Sequence, residues 1–173
     1  LYMNAFKDEK STFMKESANS IRASFMDKDF LKNTGSIYIT TCTLNQKINL
    51  YPNIKFISPD DGNLNDKTVV SIKLPKTVQP NETIQIEINF KTKLPKIVAR
   101  AGWSANDYFL MAQWYPKIGV FEQKNNLPAT WNCHQYHATT EFYADFGVYD
   151  VSINLPKNYV LGASGNKISE QNS

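Results

Sequence analysis

The chain has 173 residues and a formal net charge of +3, and 42% of its residues are hydrophobic and 20% charged. This is the composition of an ordinary globular domain rather than of a disordered chain. No apolar run approaches the roughly 18 residues of a membrane span, and a weak positive charge without a Lys/Arg cluster argues against a nucleic-acid partner. Two cysteines are too few for a disulfide scaffold or a four-cysteine zinc site. We therefore expect a single domain over residues 1–173.

The predicted helices are short and lie near the N-terminus. Residues 11–25 predict one helix with Ser11 or Thr12 as its cap, and residues 27–31 predict a single helical turn. Strand patterns follow at residues 36–44, 54–58, 70–74 and 83–91. Residues 58–63 (SPDDGN) have the composition of a tight turn.

The C-terminal third also alternates between apolar and polar residues, with a change of parity. The apolar side is even from Phe142 to Val148 and odd from Tyr149 to Leu155. A β-bulge near Gly147 would absorb this shift in one long bent strand, and residues 159–163 predict a further strand. The pattern as a whole predicts an all-β fold of curved antiparallel sheets, of sandwich or saddle type, with at most one or two short helices near the N-terminus.

Metal-ligating residue types cluster only at residues 133–137 (CHQYH). On a strand, His134 and His137 would point to opposite faces, whereas zinc needs three or four converging ligands. We therefore interpret them as one surface and one half-buried histidine, with a weak surface metal contact as the alternative. We predict no metal ligand and no catalytic residue in this chain. No Gly-x-Ser-x-Gly elbow and no Gly-rich phosphate loop is present.

Aromatic residues make up 13% of the chain and concentrate between Trp103 and Tyr149. Core packing explains most of them, because large aromatic side chains dominate core burial. The remainder are candidates for a sugar-stacking platform or for a face that docks another domain.

Three stretches, taken together, resemble a known family. Residues 94–102 read LPKIVARAG, residues 113–122 read QWYPKIGVFE, and the third stretch consists of Trp131, Gln135-Tyr136 and residues 141–151 (EFYADFGVYDV). Their order and spacing resemble the N-terminal domain of bacterial cell-envelope zinc aminopeptidases of the aminopeptidase N type. The resemblance covers nearly the whole chain.

The resemblance implies an all-β saddle domain packed on a thermolysin-like catalytic domain. In that family an H-E-x-x-H helix and a distant Glu hold zinc, and a Gly-x-Met-Glu-Asn strand binds the free amine of the substrate. Neither motif is present here, so we expect this chain to hold no cofactor and to hydrolyse nothing alone, with zinc in the parent's catalytic domain. The implied partners are that domain and the N-terminus of a peptide substrate, and the implied location is the cell envelope, periplasmic or secreted.

One functional residue carries over by position. In the family, a Gln or Glu of the saddle domain helps to hold the amine of the substrate, and Gln113 matches it here. An amide oxygen suits this role because it accepts hydrogen bonds. Trp114 and Tyr115 would line or support the cleft wall. The family's F-P-C-x-D-E-P stretch is replaced by residues 116–122 (PKIGVFE), and the alternative for Gln113 is a polar strand residue without a ligand.

Two other classes of protein stay open. A carbohydrate-binding β-sandwich predicts an aromatic row on an exposed sheet face, whereas an adhesion or assembly domain of a surface protein predicts no cleft near Gln113. Since the sequence opens without a start methionine, we expect it to be a fragment of a longer protein, and the alternative explanation of its start is a removed signal peptide. We favour free thiols for Cys42 and Cys133, although a disulfide depends on a separation that the sequence does not supply.

Overall fold

The N-terminal segment folds into two short helical pieces that pack into the core. The computed structural model describes residues 1–18, 31–96 and 101–171. A 3₁₀ helix covers Tyr2–Phe6, and helix α1 covers Thr12–Ala18. Ser11 caps α1 as predicted, because its Oγ accepts a hydrogen bond of 3.2 Å from the Met14 amide. The predicted helix beyond Ala18 and most of the predicted turn at 27–31 lie outside the described residues.

A three-stranded antiparallel sheet forms the centre of the fold. Its strands are β1 (Ser36–Leu44), β2 (Ile48–Asn49) and β5 (Ile86–Lys93), and they lie in the order β2-β1-β5. The register of β1 against β5 shifts between Ile39 and Thr41. The shift moves the buried side of β1 from odd residues to even ones, and its buried hydrophobic residues are Ile37, Ile39, Cys42 and Leu44.

Three two-stranded antiparallel sheets complete the strands that the structure describes. Their strands are β3 (Ile54–Ile57) with β4 (Val69–Ile72), β6 (Gly102–Ser104) with β7 (Tyr108–Leu110), and β8 (Val120–Glu122) with β9 (Thr130–Asn132). A further 3₁₀ helix covers Tyr51–Asn53. The regular secondary structure of the described residues therefore consists mostly of antiparallel strands, with one short α-helix, which confirms the all-β prediction.

The core joins the N-terminal segment, β1 and a segment far along the chain, residues 134–138. The ring of Tyr136 stacks between two other rings, with centroid distances of 5.1 Å to Phe13 and 4.6 Å to Phe142 and interplanar angles of 13° and 9°. The buried cluster consists of Leu1, Met3, Ala5, Phe6, Phe13, Met14, Ile37, Ile39, Cys42, Leu44, Leu50, Ala101, Tyr136 and Ala138. Residues more than 100 positions apart thus share one core.

The predicted strands at 141–155 and 159–163 are wrong. Among the described residues, 139–171 contain no strand, and the bulge expected near Gly147 is absent with them. Phe146, Val148 and Val160 are almost fully exposed, at 104%, 103% and 98%. A strand forms only where a neighbour satisfies its backbone groups, and no described strand pairs with these residues.

No helix among the described residues has the length and apolar character to span a membrane.

Candidate functional site

Gln113 lies in the connection between β7 and β8, outside any strand. Its φ of 55° places it in the left-handed region, which costs a residue with a Cβ about 1–2 kcal/mol. The next residue is tied to the central sheet, since Thr92 Oγ1 of β5 donates a hydrogen bond of 2.8 Å to the Trp114 carbonyl.

The Gln113 side chain borders a small apolar crevice. The crevice has a volume of about 10 Å³, the least that holds one water molecule. Gln113 Oε1 is buried, and none of the described residues donates a hydrogen bond to it. A buried acceptor without a donor costs about 1–3 kcal/mol. The other residues that line the crevice are Tyr2, Met3, Phe6, Ala101, Ala112, Tyr136 and Phe142.

Trp114 and Tyr115 do not line this crevice. The Trp114 ring lies 6.0 Å from Phe90 of β5 and 5.5 Å from Tyr115, measured between centroids. Tyr115 also contacts Tyr149, at 6.3 Å. Burial, followed by a hydrogen bond with Tyr149, raises the pKa of Tyr115. In this arrangement the two aromatic residues support the segment that carries Gln113.

A second, larger cavity of about 100 Å³ adjoins the first, and Tyr2 lines both. Its walls are more polar and consist of Tyr2, Asn132, His134, Gln135, Thr140, Glu141 and Tyr143. Glu122 anchors one side of this region, because its carboxylate accepts hydrogen bonds from Asn132 Nδ2 at 2.5 Å and from the Tyr143 hydroxyl at 3.0 Å. Hydrogen bonds from Lys124 and Asn132 lower the pKa of Glu122 to about 2.

Gln135, which sequence reasoning did not assign a role, is the most densely bonded side chain near the site. It is 2% exposed. Its Oε1 accepts a hydrogen bond of 3.1 Å from the Asp60 amide, and its Nε2 donates to Thr12 Oγ1 at 2.9 Å and to Asp61 Oδ1 at 2.8 Å. No local pattern indicates these contacts, because Thr12, Asp60 and Asp61 lie more than 70 positions from Gln135 along the chain.

The two histidines converge on one carboxylate, and the expectation that they point apart is wrong. His134 Nδ1 lies 2.7 Å from Asp60 Oδ1, and His137 Nε2 lies 3.1 Å from Asp60 Oδ2. His137 Nδ1 lies 2.7 Å from Glu16 Oε1. The expectation assumed a strand, but β9 ends at Asn132, so the alternation of faces does not extend to these residues.

Burial and hydrogen bonding act in opposite directions on this cluster. Burial alone would lower the pKa of His137, but hydrogen bonds to Glu16 and Asp60 outweigh it, and the pKa is raised. Burial alone would raise the pKa of Asp60, but hydrogen bonds from His134, the Gln135 amide and His137 lower it. The cluster therefore favours a protonated ring beside ionised carboxylates.

The described residues do not fit a zinc site. They contain no group of three or more His, Cys, Asp or Glu side chains that could hold a metal ion. Cys42 is buried and Cys133 is half-buried, and both are free thiols. Burial raises the pKa of each thiol, which keeps them protonated and weakens them as ligands or nucleophiles.

No family model, no curated protein and no solved structure compared with this chain matches it.

Proposed function

We propose that this chain is the non-catalytic N-terminal domain of a zinc metalloaminopeptidase of the cell envelope, periplasmic or secreted, and that it helps to form the pocket for the substrate's N-terminus. Its proposed partner is the catalytic domain of the parent protein. The resemblance of residues 94–102, 113–122 and 131–151 to that family supports the proposal. The observation that carries it is Gln113, which lines an apolar crevice and whose buried amide oxygen lacks a donor among the described residues.

The proposed role of Gln113 is to orient the amine of the substrate. An ammonium group has three donors and no acceptor, so a carboxamide oxygen is a suitable neutral partner. An apolar surrounding strengthens such a hydrogen bond because water competes less well there. Since Oε1 is buried, binding requires the side chain to turn or the crevice to open. The zinc chemistry would belong to the catalytic domain, and no residue of this chain takes part in it.

The test is an aminopeptidase assay on the full-length protein with amino-acid arylamides. Gln113→Ala should lower kcat/KM about ten-fold, equivalent to roughly 1.4 kcal/mol, and Gln113→Glu should retain more activity because a carboxylate is also an acceptor. Gln123→Ala is the matched control, because Gln123 is exposed in the loop after β8. A metal chelator should abolish the activity of every variant.

Two outcomes would contradict the proposal in different ways. Chelator-sensitive activity that Gln113→Ala leaves unchanged would keep the aminopeptidase assignment and remove the role of Gln113. A full-length protein without any chelator-sensitive activity would remove the aminopeptidase assignment itself.

A second candidate function, carbohydrate binding, rests on one aromatic pair. Phe121 and Trp131 lie opposite each other on β8 and β9, with ring centroids 5.1 Å apart, and each is 57% exposed. Exposed rings of this kind either stack on sugars or cover the face of another domain. Calorimetry with polysaccharides separates the two: heat that Trp131→Ala removes supports sugar binding, and its absence leaves the pair as a domain contact.

A further inference from the structure

Three segments that are distant along the chain meet at the imidazole ring of His137. Glu16 comes from helix α1, Asp60 from the turn after β3, and His137 from the 134–138 segment. The ring nitrogens lie 2.7 Å from Glu16 Oε1 and 3.1 Å from Asp60 Oδ2. The His137 side chain is 19% exposed, so water covers only a small part of the ring.

The hydrogen-bonding capacity of histidine makes this arrangement depend on a proton. A neutral imidazole has one N–H donor and one nitrogen lone pair, whereas the protonated ring has two donors. Both nitrogens of His137 face ionisable carboxyl groups, which accept hydrogen bonds when ionised. Only the protonated ring can donate to both, and loss of the proton turns a lone pair towards a carboxylate oxygen.

The same two carboxylates also hold the backbone of the segment. The Ala138 amide donates to Glu16 Oε2 at 2.8 Å, and the Gln135 amide donates to Asp60 Oδ2 at 2.7 Å. These contacts flank Tyr136 and His137, and the ring of Tyr136 is stacked in the core. The two carboxylates that face His137 thus also accept hydrogen bonds from the backbone at residues 135 and 138. A change in the protonation of His137 therefore acts on this segment.

We propose that His137, Glu16 and Asp60 form a pH-sensitive clamp, which fastens residues 134–138 to α1 and to the turn after β3 when the ring is protonated and loosens as the ring loses its proton. The clamp does not depend on the role of Gln113. Besides Glu16 and Asp60, two further titratable groups of the described residues act on it: Asp61, from the same turn as Asp60, and His134, which shares Asp60.

The pH window follows from the two directions of titration. The pKa of His137 is raised in the folded chain, so its contribution is complete below the ordinary histidine value of about 6.5 and is lost as the pH rises through the folded pKa. The pKa of Asp60 is lowered, so its contribution is present above about 3.9 and is lost as the pH falls through the folded pKa. The clamp is therefore tightest between about pH 4 and 6.5.

An NMR titration of the chain tests this directly, because the sequence contains only two histidines. His137→Gln assigns the two ring signals. The His137 signal should titrate above pH 6.5 or so, and Glu16→Gln or Asp60→Asn, which remove a charge but keep an acceptor, should move it downward. Exchange of the Ala138 amide hydrogen, corrected for its intrinsic pH dependence, should become about ten-fold faster between pH 5.5 and 8 as the charge-assisted contacts weaken.

His134→Gln is the matched control, because His134 shares Asp60 but its side chain is 64% exposed. It should leave the pH dependence of Ala138 exchange in place, whereas His137→Gln should remove it. A His137 signal that titrates at or below the ordinary value and ignores Glu16→Gln would overturn the clamp. If His137→Gln does not fold, the titration of the wild type and of Glu16→Gln decides the question alone.

Discussion

The close approach of Gly119 to Cys133 gives the sharpest structural prediction. Gly119 precedes β8, and a Cβ built on it would overlap Cys133 Sγ. The next atoms it would meet, Trp131 Cε3 at 3.6 Å and Cys133 Cβ at 3.7 Å, lie at ordinary contact distance. The φ of Gly119 lies outside the left-handed region. Gly119→Ala therefore tests a single steric contact with one sulfur atom.

The magnitude follows from two opposing effects. Forcing a methyl group into a packed site costs about 1–3 kcal/mol, whereas replacing glycine by alanine at a compatible φ stabilises by about 0.4–1 kcal/mol through the unfolded chain. We expect Gly119→Ala to destabilise the chain by about 1–2 kcal/mol. In a Cys133→Ala background the overlap is gone, so the same change should be neutral or slightly stabilising. The coupling energy between the two sites should thus be about 1–3 kcal/mol.

The assay is urea unfolding of the four members of this cycle at one pH, followed by tryptophan fluorescence. Gly162→Ala is the matched control, because a Cβ at Gly162 meets nothing within 4 Å, and it should change the free energy of unfolding by less than about 0.5 kcal/mol. Equal effects of Gly119→Ala in the two backgrounds would refute the reasoning, since they would mean that residue 119 does not touch the sulfur.

Two further predictions concern buried and half-buried carboxylates. Asp66 is fully buried, and its carboxylate accepts hydrogen bonds from the amides of Thr12 at 3.1 Å and Thr68 at 2.9 Å. Asp66→Ala leaves these donors without an acceptor and should lower the free energy of unfolding in urea by about 2–4 kcal/mol. A loss of less than about 1 kcal/mol would show that the donors find other partners. The pKa values of Asp60 and Asp61 are lowered, so the free energy of unfolding should fall as the pH drops below about 4. When unfolding is measured across this acid range, Asp60→Asn should show a shallower fall than the wild type. The same slope in both proteins would contradict the lowered pKa of Asp60.

The sequence predicted the first half of the fold better than the second for a physical reason. Strand β1 begins and ends where predicted, at Ser36–Leu44, because its partners β2 and β5 lie within the described chain. The bulge in β1 was not predicted, although its buried residues change parity from Ile37 and Ile39 to Cys42 and Leu44. The parity argument was applied only to residues 141–155, and it failed there because alternation shows only that a segment is suited to a sheet. Pairing requires a neighbour, and the described residues provide none there.

The candidate site was likewise predicted only in part. Gln113 was named because a family resemblance supplied a role for it. The structure adds its left-handed backbone and a buried amide oxygen to which no described residue donates a hydrogen bond. The carboxylate contacts of His134 and His137 escaped prediction because the residues that they meet, Glu16 and Asp60, lie more than 70 positions away. No local pattern reports contacts at that range.

The 134–138 segment connects several parts of the fold. Gln135 binds the turn after β3, Tyr136 stacks between Phe13 and Phe142, and His137 faces two carboxylates. Tyr136 also lines the crevice of Gln113. Because one short segment carries both the contacts that close the core and a wall of the candidate site, a change that loosens it acts on stability and on the crevice together. Variants of His137 and Gln113 separate the two effects, since Gln113 lines the crevice whereas His137 faces the carboxylates.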